Sequence, residues 1–219
     1  MTTTIVRVLL VFFVRLFVGV RPIVKEELPG PPFVAFANHA SHFDTLILWA
    51  AMEAEVRARF RPVAALDYWG KTRAHRWVAE RVLNALLIAR KREDRSEDPI
   101  EQMLGALDAG DALLLFPEGT RSVDGRIAPF KAGLHALRVA RPELPLVPVY
   151  LQNPGRILPK GELLPVPLLC SVKVGTPLAP SPPHDDPKAA RADFLAHARA
   201  EVIALAGDAY DDAPSEAAR

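Results

Sequence analysis

The sequence predicts an α/β fold, a single domain with a mostly parallel central sheet flanked by helices. Three observations predict it. Short apolar runs of strand length alternate with segments whose apolar residues recur at helical spacing, the pattern of crossover-connected parallel strands. Two polar clusters follow directly on apolar runs, where such sheets carry their sites. The chain has 219 residues, 50% hydrophobic and 24% charged, enough to bury one substantial core without disulfides or metals.

The elements follow in order. Residues 5–20 read IVRVLLVFFVRLFVGV. As a helix this run measures about 24 Å, short of the roughly 30 Å of a bilayer core. Arg7, Arg15 and Arg21 punctuate or follow it, and no small-residue cleavage site does, which disfavours a signal peptide. The mixed apolar and arginine pattern predicts a helix at the membrane interface, its arginines reaching headgroups, ahead of a buried core helix and a full span. Residues 33–37 (FVAFA) read as a buried strand, 44–54 as a helix and 62–66 as a second strand. Residues 71–83 read as a helix and 85–89 as a strand. Over 98–109, Asp98 is placed as N-cap, Pro99 as the first helical residue, Glu101 as capping-box partner and Gly110 as terminator. A strand at 112–116, a helix at 131–141, strands at 146–151 and 168–174, and a C-terminal helix at 188–205 complete the pattern. Twelve of the 21 prolines lie from Pro142 to Pro187, so that stretch should be extended and rich in turns. The expected organisation is a membrane-associating segment (1–24), one α/β domain (25–207) and a frayed acidic tail (208–219).

Composition excludes some classes. A net charge of +1 is not that of a nucleic-acid-binding domain, and no nucleic-acid partner is expected. The single cysteine, Cys170, excludes an intramolecular disulfide; in its apolar run it reads as an inert core thiol.

The first polar cluster, Asn38-His39-Ala40-Ser41-His42-Phe43-Asp44, joins a strand to a helix. A turn there lets Asp44 accept from one nitrogen of His39 and leaves the other as a base near neutral pH. Asp44 as a helix cap, Ser41 as a nucleophile, and His39, His42 and Asp44 as metal ligands are the competing readings. No nucleophile elbow surrounds Ser41, and the histidine spacing is not that of a zinc helix, so no metal is expected. The second cluster, Phe116-Pro117-Glu118-Gly119-Thr120-Arg121-Ser122, also leaves an apolar run. Gly119 permits close approach of a ligand, Thr120 offers a hydroxyl and Arg121 suits a phosphate; the same composition also fits a plain surface turn. The stretch 71–95 holds eight Lys or Arg against three acids, fitting either anionic headgroups and phosphates or a solvated helix face.

Together the two clusters resemble the glycerolipid acyltransferase family, whose best-known members are 1-acylglycerol-3-phosphate O-acyltransferases. N-H-x-S-x-x-D and F-P-E-G-T-R-S occur ungapped and in the family order. Residues 83–90 (LNALLIAR) resemble the second family block, with Arg90 at its phosphate-side arginine and Asn84 where glycine is usual. Val147-Pro148-Val149 resembles the fourth block, and Phe130-Lys131-Ala132-Gly133 the F-K-x-G after the third.

The resemblance implies a base mechanism without an enzyme nucleophile. His39 takes the proton of an acceptor hydroxyl, Asp44 orients it, and Gly119 with nearby amides stabilises the oxyanion. Glu118, Thr120 and Arg121 would bind the acceptor, with Arg90 and Lys131 as further phosphate contacts. It also implies an acyl-CoA or acyl-carrier-protein donor acting as substrate, with no cofactor. The acceptor would be a lysophospholipid, foremost 1-acylglycerol-3-phosphate giving phosphatidate. Membrane lipids are the expected surroundings, on the cytoplasmic face of the cell membrane. A thioesterase or lipid-ester hydrolase, using the same His–Asp pair with water, is the alternative.

Overall fold

The computed structural model describes residues 2–18, 28–41, 43–90, 97–122, 125–152, 170–180, 184–207 and 210. Six strands form one sheet: β1 (Val34–Ala37), β2 (Phe60–Ala65), β3 (Leu86–Ile88), β4 (Ala112–Leu115), β5 (Leu146–Gln152) and β6 (Ser171–Val174). Their order is β3-β2-β4-β1-β5-β6. Every pairing is parallel except that of β5 with β6. The helices are α1 (Thr2–Val18), α2 (Asp44–Ala51), α3 (Ala54–Arg59), α4 (Leu66–Trp69), α5 (Arg73–Trp77), α6 (Pro99–Asp108), α7 (Gly133–Ala140) and α8 (Pro187–Ala206).

Strand alternation divides the core into two layers. Ala35 and Ala37 of β1, Leu114 of β4 and Val147, Val149 and Leu151 of β5 pack toward α1 and α2. Val34, Phe36, Leu113 and Leu146 face the other way, toward α6, α7 and α8. Phe33, Phe36, Phe60, Ile47 and Leu137 are fully buried; each such side chain contributes about 1.5–3 kcal/mol relative to exposure. This sandwich puts the carboxyl ends of β1 and β4, adjacent and parallel, side by side.

Several boundaries differ from the sequence expectation. The helix expected over 44–54 ends at Ala51; Met52 turns extended and α3 restarts the helix at Ala54. The strand expected at 62–66 begins at Phe60, because Phe60 is buried and pairs with Ala112. The helix expected over 71–83 is α5, capped by the Thr72 hydroxyl accepting from His75 N–H, and it runs on as a π-helical turn Val78–Val82. Asn84 then adopts φ +57°, a left-handed conformation that suits glycine best and asparagine next. That accounts for an asparagine where the second family block usually has glycine. In α6, Asp98 caps Ile100 N–H as expected, Pro99 sits in the first turn, and Gly110 follows at φ +82°. The reciprocal bond from Glu101 is not formed; its exposed carboxylate lies in the first turn, favourable to the helix dipole.

The largest correction concerns the arginines of α1. Arg7 donates to Val82 O and Arg81 O, both at 2.9 Å, at the end of the π turn. Arg15 donates to Ala50 O at 2.9 Å and Met52 O at 3.4 Å, at the end of α2. These guanidiniums satisfy open carbonyls at helix C-termini and tie α1 to the domain instead of reaching headgroups. Arg21 lies outside the described residues, as do 19–27 and, apart from Tyr210, the tail 208–219. Val11 and Val14 are buried against α2. Ile5, Val8, Leu9, Phe12, Phe13 and Leu16 remain 42–65% exposed, forming an apolar stripe opposite. No helix among the described residues is long and apolar enough to cross a membrane.

Candidate active site

β1 ends at Ala37, and Asn38 is the hinge between the sheet and the first polar loop. Its buried amide donates to Leu151 O at 3.0 Å and accepts from Leu151 N–H at 2.7 Å. The side chain thus continues the β1–β5 pairing by one position while the main chain turns away. His39 is the first residue released.

The His39 ring is oriented by two contacts. Its Nδ1 lies 2.7 Å from Asp44 Oδ2. That oxygen also accepts from Ala40 N–H at 2.7 Å and Ser41 N–H at 2.9 Å. With Asp44 accepting, Nδ1 carries the proton and Nε2 is left as the basic nitrogen. The ring stacks on Phe116, with centroids 4.2 Å apart and planes 17° from parallel. His39 is 22% exposed and Asp44 is fully buried. Asp44 Oδ1 is buried without a partner among the described residues.

Asp44 is the first residue of α2, yet its carboxylate turns back to the loop rather than capping the helix; the N-cap residue, Phe43, makes no side-chain cap bond. Ser41 is buried and its hydroxyl accepts from Phe43 N–H at 3.2 Å, bracing the turn into α2. The metal reading needs His42, which lies outside the described residues.

The second loop locks onto the first. Glu118 is 2% exposed and accepts from His39 N–H and from Ala128 N–H, both at 2.8 Å. Both its oxygens are engaged within the protein, so it ties the loops together where an acceptor contact was expected. Burial raises its pKa above the ordinary carboxylate value, and the two N–H donors oppose that rise. Ser122 N–H donates to His39 O at 2.8 Å, tying the end of the loop that carries Thr120 and Arg121 to the His39 main chain. Both are exposed, and Arg121 makes no ion pair among the described residues. Gly119 has φ +70°, and a Cβ built there would stand 2.5 Å from Lys131 Nζ. The Lys131 side chain therefore lies over Gly119, which places its ammonium at the same loop.

His39, Asp44 and Glu118 are thus bonded together, Lys131 lies over Gly119 on the same loop, and Thr120 and Arg121 follow on that loop with exposed side chains. Arg90 does not join them. It lies past β3, three strands from β1, and binds Asp67 through Nε at 3.0 Å and a terminal nitrogen at 2.5 Å. That bond raises its pKa. Asn38 and Phe116 were missed as positioning residues. The signal in each case was a polar or aromatic residue at the last step of an apolar run. Cys170 is buried, and burial followed by the charge of Asp44 pushes its pKa up to about 12.

Neighbouring parallel strand ends thus bring a histidine bonded to a buried aspartate beside a glycine loop overlain by a lysine, at the edge where such sheets carry their sites. The Acyltransferase family model matches residues 20–152, and the chain belongs to that family. A chloroplastic 1-acyl-sn-glycerol-3-phosphate acyltransferase of Brassica napus is 37% identical over 140 residues, covering 63% of this chain and 38% of that protein. The alpha form of 1-acyl-sn-glycerol-3-phosphate acyltransferase of Homo sapiens is 27% identical over 201 residues, covering 89% of this chain and 68% of that protein. The chain spans 38% of the Brassica protein and 49% of a probable counterpart from Mycoplasma pneumoniae. The crystal structure of the 1-acyl-sn-glycerophosphate (LPA) acyltransferase PlsC from Thermotoga maritima superposes with a TM-score of 0.64. It is 22% identical and covers 91% of this chain and 79% of that one, a likeness of fold.

Proposed function

We propose that this protein transfers a fatty acyl group from a thioester donor, acyl-CoA or acyl-carrier protein, to the hydroxyl of a lysophospholipid. The acceptor is foremost 1-acylglycerol-3-phosphate, giving phosphatidate. The observation that carries this reading is the 2.7 Å contact from His39 Nδ1 to a fully buried Asp44, which leaves Nε2 as the base on the partly open side of the ring. The named relatives add the acceptor class.

In the proposed mechanism Nε2 of His39 takes the acceptor's hydroxyl proton as the oxygen bonds to the thioester carbon. Asp44 stabilises the imidazolium that forms. The tetrahedral oxyanion develops beside the Gly119 loop, where backbone N–H groups and the Lys131 ammonium offer compensation. Cleavage of the C–S bond then releases a thiolate, which recovers the proton from His39. Arg121 holds the acceptor phosphate. No cofactor takes part.

We place the enzyme at the membrane surface, on the cytoplasmic face, with the exposed stripe of α1 in the lipid interface. The acceptor and product are lipids, and α1 packs on α2, the helix that carries Asp44.

The test is a mass-spectrometric assay of purified protein in detergent, with lysophosphatidate and a long-chain acyl-CoA, beside His39→Ala. Phosphatidate from the wild type alone upholds the reading. Free fatty acid without phosphatidate overturns it in favour of hydrolysis.

A further inference from the structure

The peptide group that joins Ile127 to Ala128 is held at both ends by charged side chains from distant parts of the chain. Residues 126–131 precede α7 and take part in no helix or strand, so their main-chain groups need other partners. Arg199 of α8 donates to Ile127 O through Nε at 2.9 Å and a terminal nitrogen at 2.6 Å. Ala128 N–H, the other end of the same peptide group, donates to Glu118 Oε2 at 2.8 Å. Glu118 Oε1 in turn accepts from His39 N–H at 2.8 Å. An unbroken line of hydrogen bonds therefore runs from Arg199 to the main chain of His39.

That line is stiff for identifiable reasons. The peptide group is planar and trans, so its carbonyl and its N–H point in opposite directions and move together. Two N–H groups of one guanidinium converge on the carbonyl, a charge-assisted contact. Their donation polarises the amide and strengthens its N–H as a donor to the Glu118 carboxylate. Ile127 and Phe130 are buried in the same core layer as Phe194, Ala198 and Val202, the buried stripe of α8. Arg199 follows Ala198 on that stripe and is half-buried. Lys131 N–H donates to Pro117 O at 2.9 Å, which fixes the same segment to the loop where the Lys131 side chain overlies Gly119. The last torsion of a glutamate is soft. Glu118 keeps one orientation because both of its oxygens have fixed partners, and Arg199 secures one of them.

We propose that Arg199 is a positioning residue for acyl transfer, holding Glu118 against the main chain of His39 through the Ile127–Ala128 peptide. This rests on the acyltransferase reading above and adds to it a residue of α8, which lies beyond the segment 20–152 that the family model matches.

The experiment compares three variants of the full chain in detergent. Arg199→Met keeps an apolar stem and removes the donors, and Arg199→Lys keeps the charge. Arg191→Ala removes an exposed charge from the same helix and serves as the control. Steady-state transfer from acyl-CoA to lysophosphatidate is measured beside amide hydrogen exchange, read by mass spectrometry over residues 126–131 and over α6. We expect Arg199→Met to lower kcat about tenfold and to leave KM for both substrates unchanged. Exchange over 126–131 should quicken while α6 stays at the wild-type rate. Arg199→Lys should restore part of kcat, and Arg191→Ala should match the wild type. Wild-type kcat in Arg199→Met overturns the proposal. So does exchange that quickens equally in α6, which marks a general loss of stability, or an equal loss of kcat in Arg191→Ala. If Arg199→Met does not fold, Arg199→Lys decides: lowered kcat with faster exchange confined to 126–131 upholds the proposal, and wild-type values of both overturn it. Absence of transfer by the wild type, with exchange over 126–131 still quickened by Arg199→Met, overturns the acyltransferase reading and upholds the link from Arg199 to Glu118.

Discussion

The imidazole of His39 lies flat on the ring of Phe116, centroids 4.2 Å apart, so the histidine of the β1 loop is braced by the last apolar residue before the β4 loop. An aromatic contact of this kind is worth about 0.5–1.5 kcal/mol beyond its buried area. Phe116→Ala should lower kcat about tenfold with little change in KM, because it frees the ring without touching the acceptor. Steady-state kinetics beside a thermal melt separates this from loss of fold.

Asp44→Asn tests the other brace. An asparagine with its carbonyl oxygen at the Oδ2 position still accepts from His39 Nδ1, Ala40 N–H and Ser41 N–H, but it buries an unpartnered N–H₂ at the Oδ1 position and removes the negative charge that stabilises an imidazolium. We expect kcat to fall at least a hundredfold while the far-ultraviolet circular dichroism is retained. His39→Ala should abolish transfer.

Gly119→Ala meets two obstacles. The position has φ +70°, and the added methyl collides with the end of the Lys131 side chain. Lysine can swing aside, so the backbone dominates the cost, about 1 kcal/mol. The displaced ammonium should also lower kcat/KM. Arg121→Ala, by contrast, should raise KM for the phosphate-bearing acceptor about tenfold and spare kcat.

Cys170 gives a signature in pH. Its thiol is pushed up to about 12 in the folded protein, whereas an exposed thiol ionises near 8.5. Between these values the unfolded chain has lost the proton and the folded chain keeps it. Stability contributed by the neutral buried thiol is full below about 8.5 and declines as pH rises toward 12. Urea melts of wild type and Cys170→Ala should therefore converge or cross as pH rises from 8 to 10.5. Native Cys170 should resist iodoacetamide at pH 8 until the protein is unfolded.

The stripe on α1 is tested with Phe12→Asp and Leu16→Asp. Both residues are more than 60% exposed, so the melting temperature should hold. Co-flotation with anionic lipid vesicles should be lost if the stripe enters lipid.

Much of the site was legible because it is local. His39 and Asp44 are five residues apart across one strand-to-helix turn, and the FPEGTR loop is continuous, so both appear as runs in the sequence. The parallel sheet was legible from alternating apolar runs, and the α6 boundaries from Asp98, Pro99 and Gly110. The break between α2 and α3 was not, because the residues around Met52 keep an apolar pattern and the chain turns there to bring Phe60 against Phe33 and Ala112.

The sequence by itself determined the class of fold, the pairing of His39 with Asp44 and the glycine loop, since turn chemistry and periodicity act over a few residues. Tertiary structure alone decided the roles that depend on distant partners. Glu118 is committed to His39 N–H and Ala128 N–H, across 79 and 10 residues. Arg90 is neutralised by Asp67, and Arg7 and Arg15 cap helix ends far along the chain. A charged side chain takes its meaning from the nearest opposite charge or open carbonyl in space, and that neighbour exists only after the sheet has assembled.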